Sequence, residues 1–369
     1  MNNAATLNPD NQRILSIDFF RGITMLLLIG EFTGLFGYLL DPAFTATPVA
    51  FIGRQLHHAE WQGLHFWDLI QPFFMFIVGV AMPFSFSCRW ERGDTWGQTF
   101  KHVLQRSGML LFLGWALYCI GPGKITFQFT NVLAQLSFTY LVAFLMMRRA
   151  VKWQLLFSFG LILFTDLLYR YWSVPGFDQP FIKDHNFGTW FDTILTGGST
   201  DDGWVIFNAI PTTAHTIWGV VAGMILMTDW GQKRKVATLL IAGVTGIIFG
   251  LLLGQFIPII KRICTSSFIL ASGGFAFVAL ALSYWAIDVL NFRKNLTLFT
   301  VIGTNPLFIY LFASTGGTWY LTPIFKPFVT QLFWWAGNLT IQMILCTTVW
   351  AAMWYICYFL YQRKIYIKL

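Results

Sequence analysis

Residues 57–72 read His57-His58-Ala59-Glu60-Trp61-Gln62-Gly63-Leu64-His65-Phe66-Trp67-Asp68-Leu69-Ile70-Gln71-Pro72, setting three imidazoles and two carboxylates just ahead of a long apolar run. An imidazole titrates near neutrality and can take a proton from an attacking nucleophile. A carboxylate buried beside it fixes its tautomer and stabilises the charged ring. Two other uses compete. His57, His58 and His65 could offer nitrogen ligands to a metal, although no HExxH or similar spacing is present. The stretch could equally be a plain connecting loop. The residue types favour acid–base or nucleophilic chemistry centred on His58, with Asp68 as its carboxylate, and no metal is expected.

The elements that must carry this stretch are membrane elements. The 369 residues are 56% hydrophobic and 11% charged, against about 25% charged in a soluble domain, and the mean hydropathy is +0.61. These values exclude a water-soluble fold. Aromatic residues reach 18%, which suits helix ends anchored at two lipid interfaces. The net charge of +8 reads as the mark of cytoplasmic loops, since no basic stretch is interleaved with stacking aromatics, and a nucleic-acid partner is excluded. The five cysteines lack CxxC spacing and read as small buried hydrophobes.

Apolar runs predict an all-α integral membrane protein, a bundle of about ten transmembrane helices with both termini cytoplasmic. The spans fall near 19–40, 66–87, 103–121, 129–147, 153–172, 204–228, 236–257, 266–288, 297–314 and 340–361. Residues 1–18 form a polar N-terminal segment with no cleavable leader, so the first span serves as its own insertion signal, and residues 19–369 form one domain. Of the 24 Lys and Arg residues, 17 fall in the N-terminus, the tail and every second loop, Arg13 and Lys368 among them. The other seven are Arg54, Lys124, Arg170, Lys183, Lys261, Arg262 and Lys326. By the positive-inside rule His58 then lies outside, as does the long loop near 173–203 with Asp178, Asp184, Asp192, Asp201 and Asp202. That loop reads either as a lid or as a solvated connection.

Charges inside a membrane cost at least ~2.5–3.5 kcal/mol each, so each needs a partner or a wet cavity. Asp18 and Arg21 stand three apart on one face of the first span and can pair. Glu31 halfway along the same span, Asn131 and Gln135 in the fourth, Asn208 and His215 in the sixth and Asn305 in the ninth imply a polar interior. His215 alone also reads as a neutral histidine bonded across helices. Asp166 reaches from the fifth span toward the interface.

The chain resembles the heparan-alpha-glucosaminide N-acetyltransferase family and its bacterial relatives. The resemblance rests on Arg13-Ile-Leu-Ser-Ile-Asp18-Phe-Phe-Arg21-Gly22, then His58-Ala-Glu-Trp61-Gln-Gly63-Leu64, Asp68-Leu-Ile-Gln-Pro72 and Phe76-Ile-Val-Gly79. Val132-Leu-Ala-Gln135, Val174-Pro175-Gly176, Ile257-Pro258-Ile-Ile-Lys261, Gly303-Thr-Asn305 and Leu360-Tyr-Gln-Arg-Lys364-Ile are similar landmarks, so the likeness runs along nearly the whole chain. It implies transfer of an acetyl group from cytosolic acetyl-CoA to an amino group of a terminal glucosamine across the membrane. It also implies His58 as the catalytic histidine and a homodimer; in a bacterium the charge count then predicts the inner membrane, with His58 facing the periplasm. Trp61, Gln62, Glu31 and Lys261 become candidate acceptor contacts. Gln62 stands where members often carry Asn, and Glu31-Phe32 where the lysosomal enzyme resembles Val-Asn. His215 belongs to a Thr-Thr-Ala-His motif without counterpart there.

Two mechanisms fit. His58 acts as general base toward the acceptor amine, or as nucleophile through an acetyl-imidazole. Asn305, Asn131 and Gln135 are candidate oxyanion donors. Arg21 and the other cytoplasmic basic residues are candidates for the CoA phosphates or for lipid headgroups, and Asn208 and His215 are candidates to line the donor path. A secondary transporter would share midplane polar residues and Gly/Pro-broken spans, but no inverted repeat is visible.

Overall fold

The structure, a computed structural model, describes residues 14–198 and 202–367. Arg13, Asp201 and Lys368 lie outside the described residues. Every regular element among the described residues is helical. In chain order the α-helices are α1 Leu15–Phe32, α2 Leu35–Tyr38, α3 Pro48–Gln55, α4 Ile70–Glu91, α5 Trp96–Ile120, α6 Val132–Met147, α7 Val151–Tyr171 and α8 Phe187–Thr196. They continue as α9 Ala209–Met227, α10 Gln232–Leu253, α11 Ser266–Tyr284, α12 Thr297–Thr304, α13 Pro306–Ser314, α14 Gly317–Leu332 and α15 Asn338–Gln362.

Among the described residues, seven helical stretches are long and apolar enough to cross a membrane: α4, α5, α7, α9, α10, α11 and α15, some with their flanking turns. An eighth is counted if α12 and α13, bent by 77° at Asn305, form one span. This is the architecture of a polytopic helical membrane protein, with fewer straight spans than the ten expected. The differences have local causes. The run 19–40 breaks after α1, where Gly34 takes φ +78° before the one-turn α2, so Glu31 sits at the end of α1 and not halfway along a span. The run 129–147 shortens to the 16 residues of α6 because Asn131 is its N-cap, its Oδ1 accepting from Ala134 N at 3.0 Å. Pro306 cannot donate to the preceding turn, so the ninth run splits at Asn305. The loop near 173–203 contains α8, capped by Asn186 and closed by Gly197 at φ +80°.

The centre of the bundle is the α4–α9 pair. Small residues let the two backbones touch: a Cβ on Gly79 would overlap the Thr216 carbonyl, and one on Gly219 the Phe76 carbonyl. Phe76, Ile77, Val80, Ala214, Trp218 and Ala222 fill the seam with α11. Glycines likewise bring α10 onto α11, where Gly243, Gly250 and Gly274 abut the facing backbone.

Candidate active site

The connection between α3 and α4 is built around one carboxylate. Asp68 lies in the 3-10 turn Phe66–Leu69 that starts the fourth helix, and its Oδ2 accepts from His65 N at 2.9 Å and from Ala59 N at 3.3 Å. Its Oδ1 is left to face His58 Nδ1 at 2.8 Å. The neighbouring imidazoles are spent on the loop itself, His57 Nδ1 on Gly53 O at 2.7 Å and His65 Nδ1 on His57 O at 2.9 Å. One histidine of the three therefore faces the cavity described below, and its Nδ1 is held, leaving Nε2 as the ring nitrogen not engaged with Asp68.

A second segment closes on this one from far along the chain. Gly63 N donates to Ile259 O at 2.8 Å, docking the loop on the 254–265 connection, which Thr265 braces through Pro258 O and Ile260 N. Lys261 on that connection is buried, with Nζ 3.2 Å from His58 Nδ1 and 3.8 Å from Asp68 Oδ1. The Trp204 ring meets the His58 ring at 5.9 Å and lies 5.3 Å from Lys261 Nζ. Burial pulls the His58 pKa below its usual value; the Asp68 bond opposes this, and the Lys261 and Arg262 charges add to it. Burial also brings Lys261 down to about 8, against the pull of Asp68 and Glu31.

His58, Trp204 and Lys261 form one end of a cavity of about 850 Å³. It follows α4 from Ile70 to Arg89, roughly 30 Å of helix at 1.5 Å per residue. Glu31, which accepts from Trp67 Nε1 at 2.9 Å, and Tyr118 also line the His58 end. The opposite end is basic: Arg21, Arg89, His102 and Arg106 line it. Arg89 Nη2 donates to His102 Nε2 at 3.0 Å, and Arg106 rests over the Tyr140 ring at 4.8 Å with its Nε buried and unbonded. Arg21 is held by Asp18 Oδ1 at 2.6 Å and by Gly303 O at 2.8 Å.

Of the residues singled out by sequence, the structure brings His58, Asp68 and Lys261 together, and Arg21, Glu31 and Asn131 to the same cavity. Gln135 reaches it through a hydrogen bond to Gln71, which is a lining residue. Three of the proposed interior residues stand elsewhere. Asn305 spends its amide on the tail, donating to Ile365 O at 2.9 Å and accepting from Ile367 N at 2.8 Å. His215 Nε2 bonds Ser272 Oγ at 2.9 Å between α9 and α11. Asn208 braces the Lys261 connection through Arg262 O at 3.2 Å. Trp61 donates to Phe181 O at 2.7 Å, Gln62 is exposed, and Asp166 pairs with Arg170 at 3.0 Å. Sequence reasoning missed Trp204 and Tyr118 as cavity residues, since each looks like one more interfacial aromatic. Arg89 and Arg106 belong to the cytoplasmic basic set that the sequence offered to phosphate or to lipid headgroups, and the cavity singles them out from that set.

No protein-family profile matches the chain. Over 137 residues, 35% of its length, it is 29% identical to human heparan-alpha-glucosaminide N-acetyltransferase, and over 144 residues, 37% of its length, it is 26% identical to the mouse protein of that name. The matches span 18% and 19% of those relatives. They support a distant relationship to that family.

Proposed function

We propose that the chain is a membrane acetyltransferase, with residues 19–369 acting as one domain, that carries an acetyl group from acetyl-CoA to an amino-sugar or related glycan acceptor. One observation carries this reading: a single cavity joins a cluster of three arginines to a carboxylate-held histidine across the length of a spanning helix. Arginine's planar fork suits phosphate, so the CoA nucleotide sits among Arg89, Arg106 and Arg21 and the thioester arm lies along α4. The acceptor amine meets the thioester beside His58. As the new C–N bond forms and the C–S bond breaks, Nε2 takes the amine proton and the CoA thiolate leaves toward the basic end. In the two-step variant Nε2 itself holds the acetyl group before the amine collects it.

With 17 of the 24 basic residues in one set of segments and 7 in the other, the positive-inside rule supports a cytoplasmic arginine end and an outward-facing His58. For a bacterium this is the inner membrane and the periplasm, and the family resemblance adds a homodimer. The test is incubation of purified protein with radiolabelled acetyl-CoA and a panel of amino sugars. An acetylated product is expected. Its absence, with acetyl-CoA or sugar instead moved across vesicle membranes, returns the secondary transporter.

A further inference from the structure

His58 shares its carboxylate with a second base. An ionised carboxylate has no proton to give, so the 2.8 Å contact with Asp68 puts the hydrogen on His58 Nδ1. That nitrogen then has no lone pair for Lys261, and the 3.2 Å approach of Nζ is a charge held against the ring edge. Protonation of Nε2 would place two cations beside one carboxylate. The other groups facing the pair do not undo this. Arg262 adds positive charge from the same connection as Lys261, Glu31 at the end of α1 acts on Lys261, and Cys264 lies buried below it. His57 and His65 are turned to backbone carbonyls, and Trp204 covers the third side with no formal charge.

We propose that Lys261 holds His58 as a neutral imidazole with its Nε2 lone pair available, an inference that rests on His58 being the acyl-transfer base or nucleophile. Lys261 is thus a positioning residue that acts through His58. Like charges in contact disfavour the second protonation. Lys261, brought down to about 8, keeps its charge through neutral pH and gives it up only where His58 is neutral in any case.

The experiment is a titration of the full chain in detergent, labelled with 15N-histidine, with the His58 signal assigned by its loss in His58→Gln. Lys261→Met is expected to raise the His58 midpoint by about one to three pH units, and Lys261→Arg to keep it near wild type. The acid limb of kcat/KM moves up with it, so the loss in Lys261→Met is greatest near about pH 6 and narrows as pH rises. A midpoint unchanged or lowered in Lys261→Met overturns the inference. A raised midpoint in a protein that transfers no acetyl group supports it, while removing the reading of function beneath it.

Discussion

Asp68 holds His58 through one carboxylate oxygen, at 2.8 Å, and holds the loop that carries His58 through the other, by the amides of Ala59 and His65. Aim and scaffold thus depend on one side chain, whose place is set by the start of a helix.

That double role separates two substitutions. His58→Ala leaves the Asp68 amide bonds intact, so the protein inserts and purifies as wild type while acetyl transfer falls by about 10²–10⁴-fold, the usual worth of a general base. Asp68→Asn reduces kcat by a similar factor with little change in acetyl-CoA affinity by calorimetry. Near-wild-type turnover in either variant ends the catalytic assignment.

At the far end of the cavity, Arg89→Gln and Arg106→Gln each remove a charged donor from the proposed nucleotide site. Charge-assisted hydrogen bonds contribute about 1.5–3 kcal/mol, so the KM for acetyl-CoA rises by roughly 10- to 100-fold. Transfer from acetyl-pantetheine, which lacks the nucleotide, stays unchanged. Equal losses with both donors would show that these arginines do not read phosphate.

Asp192, buried on α8 with Ile206 N on its carboxylate, is pushed up to about 7 by burial. The folded state therefore holds this proton more tightly than the unfolded chain, whose carboxyl titrates near 3.8. Stability from this group is fully present below about 4 and falls as pH rises toward 7. Asp192→Asn should match wild type in thermal unfolding at low pH and exceed it at neutral pH by an amount on the order of a few kcal/mol. A difference independent of pH would contradict this.

Sidedness is open to labelling. In a background with all five cysteines replaced, Arg54→Cys and Arg234→Cys put single thiols at exposed positions beside the two proposed faces. A membrane-impermeant maleimide should label position 54 in intact cells and position 234 only after permeabilisation. The reverse pattern inverts the donor and acceptor sides.

Much of this protein is written locally in its sequence. Apolar runs of about 20 residues have few fates other than spanning helices, and ten residues of loop suffice to bring His58 onto the helix-start carboxylate of Asp68. The tertiary structure decided what stands around that pair. Lys261 reaches His58 across 203 residues of chain, and Trp204 closes the same end from a third segment. In sequence Glu31, His215 and Asn305 look alike, polar residues in apolar runs. In the fold Glu31 lines the cavity, His215 is sealed against Ser272, and Asn305 clamps the tail. The difference lies in the rotation of each helix about its own axis and in where a helix breaks. Both are set by packing such as the glycine contact of α4 with α9, which no single run of residues encodes.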